Sequence, residues 1–240
     1  MSSFASFDGI FHTLKRARKD LVNLKRSLAA FEGATDFGES VWQVHPKNPR
    51  LVVFKLNDPR QQIGSDVGII TNTLWSALGQ LIYSLYELEK GEPPPLPPKR
   101  RLQFPVCKRP EDFRGRIKPD LEGLNVKHIA LIEGMQPYNG GNWLLRLKVL
   151  AEEHRHRKII DIRASGGHEF YVRSSAEPDI ERVIIPGTRV RIPKAMNVQA
   201  KLTGRVIFPD GAPVIETLEV FQLKVADVID AFKPLFDPLV

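Results

Sequence analysis

Apolar residues recur at alternating steps of three and four along Phe7, Ile10, Leu14, Ala17, Leu21, Leu24, Leu28 and Phe31. That rhythm gathers them on one side of a helix, which is predicted to begin near Asp8 and to stop at Gly33. A second run through Ile63, Val67, Ile70, Leu74, Leu78, Leu81, Leu85 and Leu88 repeats the spacing. Ile69, Trp75, Ile82, Tyr83 and Tyr86 make its other faces apolar too, so this helix is expected to be central and buried on more than one side. Between the two, Trp42 and Val44, then Leu51 to Phe54, flank the turn-like Pro46-Lys47-Asn48-Pro49 and predict a short hairpin at about 41–56.

Past Gly91 the pattern breaks. Residues 92–101, Glu92-Pro93-Pro94-Pro95-Leu96-Pro97-Pro98-Lys99-Arg100-Arg101, favour extended polyproline II backbone. Such a stretch serves as a stiff connector or as a ligand for an aromatic-grooved partner domain. A helical segment is expected over Val126–Glu133, a turn at Pro137-Tyr138-Asn139-Gly140-Gly141, and a further helix from Asn142 to Lys158 with Asn142 as its N-cap.

Beyond Lys158 short apolar runs alternate with Gly, Pro and Asp: Ile159–Ile162, Glu169–Val172, Val183–Ile185, Val190–Ile192, Lys201–Phe208 and Val214–Val220. These are predicted as strands, with a hairpin turn at Pro209-Asp210-Gly211-Ala212 and a last helix over Leu223–Phe232. The resulting expectation is an α+β fold: an N-terminal helical bundle with a hairpin insertion (1–158), then an antiparallel strand-rich region with a terminal helix (159–240), packed as one unit with the first.

Composition narrows the function only a little. The chain has 240 residues, 42% hydrophobic and 26% charged, ordinary values for a globular protein. Thirty-five Lys and Arg against 28 Asp and Glu give a formal charge of +7, which attracts polyanions without identifying one. The charge is concentrated on the first helix, where Lys15, Arg16, Arg18, Lys19, Lys25 and Arg26 offer a surface able to follow a phosphate backbone, or simply a solvated face. One cysteine, Cys107, allows neither an internal disulfide nor a thiolate metal site, and a cytoplasmic setting is the simplest fit. The first helix reads as neither signal peptide nor membrane anchor, and no membrane is expected. Its heptad pattern also suits a homo-oligomer.

Chemistry-bearing side chains crowd in one place, Glu153-His154-Arg155-His156-Arg157-Lys158. At roughly 100° per residue, His154 falls with Leu147, Leu150 and Ala151, whereas His156 falls on the far side, so the two do not share a metal; no metal and no cofactor are expected. His156 with Arg157 has one chemical use: a near-neutral base accepts a ribose hydroxyl proton while the guanidinium stabilises phosphorane charge. The plainer reading places cations at a helix C-terminus, favoured by the dipole. No Walker loop, dinucleotide fingerprint, nucleophile elbow or His-Glu-x-x-His is present.

Ser76-Ala77-Leu78, Gln103-Phe104-Pro105-Val106, Gly123-Leu124, Ala130-Leu131-Ile132-Glu133, Gln136-Pro137-Tyr138 and the His-Arg helix end occur in this order. In these elements the chain resembles a family of uncharacterised bacterial proteins of about this length, over most of residues 8–160. Relatives carry Arg before the Ser-Ala-Leu element and Asp-His after it, where this chain has Trp75, Gly79 and Gln80; at the later helix end their Asp-Lys-His-Arg is matched here only by His156 and Arg157. Their Arg-then-His spacing is reminiscent of nucleotide-binding HEPN helices, many of which are ribonucleases. The resemblance therefore implies a degenerate member, with Trp75 and Gln80 in a hydrophobic interior in place of a reactive pair. The expectation is an intracellular protein that binds nucleic acid, another polyanion or a protein partner; the alternative is a metal-independent ribonuclease using His156 and Arg157.

Overall fold

The first apolar stripe is buried within the chain: Ile10, Ala17, Leu21, Leu24 and Leu28 are nearly inaccessible, on a helix α1 that runs Asp8–Gly33. A computed structural model describes residues 7–33, 41–45, 48–55, 60–94, 102–156, 158–164, 168–174, 181–184, 196–202 and 206–236, with side chains for 7–29, 61–94, 102–156, 158–163, 206–234 and 236. Five further helices follow: α2 Arg60–Lys90, α3 Pro110–Leu121, α4 Val126–Gly134, α5 Asn142–Arg155 and α6 Val214–Phe232.

The α+β expectation is overturned. Among the residues with described side chains the protein is mostly helical, with six helices, 75% helix, one short strand and no sheet. The error has a physical source at Val214–Val220, where a short apolar run after the Pro209–Ala212 turn suggested a strand. That stretch is the start of α6, because Val214, Leu218, Phe221, Val225, Ile229 and Phe232 are buried together at steps of three and four, which only a helix places on one side. Elsewhere the backbone forms small antiparallel ladders. Strands β1 Val41–His45 and β2 Asn48–Lys55 pair as the expected hairpin. Strand β4 His168–Ser174 lies between β5 Glu181–Ile184 and β6 Met196–Leu202, and β3 Arg163–Ala164 pairs with β7 Val206–Ile207. The expected strand Val190–Ile192 and the residues 95–101 of the proline-rich connector lie outside the described residues.

Chain contacts define two compact units: Met1–Val22, Ser65–Ile160 and Ile215–Val240 in one, Asn23–Gly64 and Asp161–Val214 in the other. In the first, α2 supplies the longest buried row, with Val67, Ile70, Leu74, Ala77, Leu78, Leu81, Ile82 and Leu85 all inaccessible; each such aliphatic side chain contributes about 1.5–3 kcal/mol of burial. Burial is not all round, since Ile69 and Tyr83 remain partly exposed. Gly68 of α2 meets His154 of α5: a side chain there would overlap the imidazole of His154. At the other end of this unit the ring of Phe7 meets Phe236 edge-on, with centroids 4.2 Å apart. In the second unit, Gly211, at φ 85°, closes a turn in which Phe208 N–H donates to Ala212 C=O; the turn expected at 209–212 is present, but it leads into α6.

Gln136 ties the segment before α3 to the end of α4. Its side-chain oxygen accepts from Cys107 N–H at 2.9 Å, and its amide nitrogen donates to the carbonyls of Pro105 and Ile132 at 3.0 and 3.1 Å. The residue is completely buried, where an unpaired amide is costly, and two of these three partners lie about thirty residues earlier in the chain. Gly141, not Asn142, is the N-cap of α5; a side chain on Gly141 would strike Met135 C=O, so the tight turn sets the boundary one residue earlier than the capping preference of Asn suggests.

Candidate polyanion-binding face

With its apolar stripe buried, α1 turns the opposite face to solvent. Lys15, Arg16, Arg18, Lys19 and Arg26 are exposed and Lys25 is half-buried. Arg16 sits 4.0 Å from Asp20, an exposed pair of small energetic value. Lys15, Arg18 and Lys19 have no acidic partner within ion-pair distance among the described residues. Lys25 and Arg26 follow on the stretch of α1 that belongs to the second unit. The acids of α1 are few: Asp8 in the first turn, Asp20, and Glu32 near the end.

A further cation, which no local pattern places here, comes from the far end of the chain. Lys233, in the 3-10 turn Lys233–Leu235 that follows α6, holds its Nζ 5.8 Å from the centroid of the Phe11 ring, within cation–π range. Phe11, Lys15, Arg18 and Val22 recur at four, three and four residues, so they share one side of α1, and Lys233 stands at the beginning of that row.

The histidine cluster lies at the end of α5. His156 is exposed and is the C-cap of α5, its N–H directed at the carbonyls of Glu152 and His154. Arg157 lies outside the described residues. His154 is half-buried against Gly68, so the histidine expected on the core side is there for packing. Gln80 is exposed and accepts a hydrogen bond from the Thr13 hydroxyl at 3.0 Å, and Trp75 is half-buried; the interior placement expected for the two is corrected, because they lie toward the edge of the α2 core and Gln80 is used at the α1 contact.

No protein family, curated protein or solved structure matches the chain.

A cleft of about 690 Å³ beside α3 is lined by Cys107, Lys108, Arg109, Arg116 and Leu145 among others. Its two arginines are already engaged. Arg109 donates to both carboxylate oxygens of Asp112, at 3.0 and 2.9 Å, which raises the guanidinium pKa and lowers that of the carboxyl, in each case chiefly through the hydrogen bond. Arg116 lies 3.7 Å from buried Asp120, whose carboxyl is pushed up by burial against the opposing pull of Arg116. Burial also pushes the Cys107 thiol up, so it remains protonated and a poor nucleophile near neutrality. His128 is buried between helices: Nδ1 lies 3.0 Å from Glu89 Oε1 without forming a hydrogen bond, and its ring meets Phe232 edge-on at 6.1 Å. Among the described residues no three His, Cys, Asp or Glu side chains group as metal ligands, and no helix is long and apolar enough to cross a membrane.

Proposed function

We propose that the protein is a non-enzymatic binder of polyanions, nucleic acid first among them, and that α1 is the binding element. The observation that carries this reading is the solvent-facing row of Lys15, Arg18 and Lys19, which has no acidic partner among the described residues. Lysine and arginine so placed release condensed counterions when they meet a phosphate chain, and this term dominates sequence-independent affinity. The charges of the α3 cleft are largely satisfied by neighbouring acids, which makes it the weaker anion site. A ribonuclease needs a base beside a group that stabilises the phosphorane, and His156 sits exposed at a helix end, where its backbone N–H caps α5.

The test measures retention of fluorescein-labelled RNA and DNA by anisotropy across 50–200 mM salt, for wild type and for the double variant Lys15→Glu, Lys19→Glu. Retention that falls steeply with salt and collapses in the double variant supports the reading; equal retention by both proteins removes it. The same RNA incubated in EDTA with wild type and His156→Ala separates the alternative, since cleavage lost in the variant would make the protein an enzyme.

A further inference from the structure

Resting on the polyanion reading, we infer that the partner is a nucleic-acid duplex held by its phosphate backbone, and that Lys233 takes part in holding it. From Phe11 to Val22 the row on α1 covers eleven residues, about 16 Å at 1.5 Å per residue. A duplex presents one charge per about 1.7 Å of axis over such a length, a denser target than a single strand. Lys233 places one more cation at the start of the row, and it has no acidic partner within ion-pair distance among the described residues, whereas Lys224 on the preceding helix α6 lies 3.8 Å from Asp227. Exposed Asp8, in the first turn of α1, marks where the basic row stops.

The chemistry of the row favours backbone contact over base contact. Proteins that bind single strands without sequence preference stack bases on exposed aromatic rings. Here Phe7 is buried, Phe11 is half-buried beneath Lys233, and the remaining exposed groups of the row are cations and Val22. Cationic side chains that meet only phosphates fix position without reading sequence, so binding is expected to be indifferent to base order.

The experiment compares a 20-base-pair duplex of mixed sequence with a single strand of the same length, by anisotropy across the same salt range. Lys233→Gln is expected to weaken duplex binding and to flatten the plot of log affinity against log salt by about 0.9, the contribution of one phosphate contact. Lys233→Arg should restore the slope, and Lys224→Gln should leave it unchanged. A slope unaltered by Lys233→Gln, with the Lys15 and Lys19 double variant still flattening it, overturns the role of Lys233 and leaves the polyanion reading intact. A single strand bound as tightly as the duplex overturns the duplex assignment. Failure of the Lys15 and Lys19 double variant to alter either ligand's affinity overturns the underlying reading as well.

Discussion

His154 lies against Gly68 so closely that even a methyl group on the glycine would occupy the space of the imidazole. Glycine in the middle of a helix normally costs about 1 kcal/mol relative to alanine; here it is what lets α5 approach α2. Gly68→Ala is therefore expected to destabilise the protein by about 1–3 kcal/mol, the usual range for overpacking. In a His154→Ala background the sign should reverse, since the propensity gain is then unopposed. Urea unfolding of the two single variants and the double variant checks this, and additive effects would sink it.

Gln136→Met, which keeps the size of the side chain and removes its amide, leaves the Cys107 N–H and the Pro105 carbonyl without their partner. A loss of about 1–3 kcal/mol is expected for each buried group left unsatisfied. Hydrogen exchange at the Cys107 amide gives a local readout: it should accelerate in the variant while amides of α2 respond only to the global loss. Unchanged exchange at Cys107 would mean that the clamp does not hold that segment.

His128 should make stability depend on pH. Burial lowers its pKa below the ordinary 6.5, and Glu89 only partly opposes this. A folded-state pKa below the unfolded value means that the unfolded chain takes up the proton first, so the contribution is fully present above the unfolded pKa and is lost as pH falls toward the folded one. Chemical unfolding between neutral and mildly acidic pH is expected to show this loss, and His128→Phe should flatten it. A His128 resonance that titrates above 6.5 in the folded protein would reverse the sign.

Cys107, buried and with its thiol pushed up, is expected to react slowly with a thiol-specific disulfide reagent near neutral pH and rapidly once unfolded. Reaction in the native state at the rate of a free thiol would contradict the placement.

Helices α1 and α2 were legible in the sequence because their stripes persist for many turns without a breaker. Helix α3 was not: Gly115 and Pro119 interrupt it and only Phe113, Asp120 and Leu121 are buried on it, so periodicity carries little signal. Pro110 at its first turn with Glu111 and Asp112 beside it was the available cue, a start favoured by fixed φ and by the helix dipole. Val214–Val220 taken alone resembles a strand, since Val220 and Leu223, which are exposed, interrupt a row whose helical spacing shows only when it is followed to Phe232. The basic face of α1 was visible as charge on one element. Lys233 was not, because its place depends on how the turn after α6 lies beside Phe11, which no local pattern encodes.

The edge-on meeting of Phe7 and Phe236 has an engineering corollary. Positions 7 and 236 are near enough for a brief peptide bridge, so the segment between them could be closed into a ring and opened instead in an exposed turn such as the one at Asp210-Gly211.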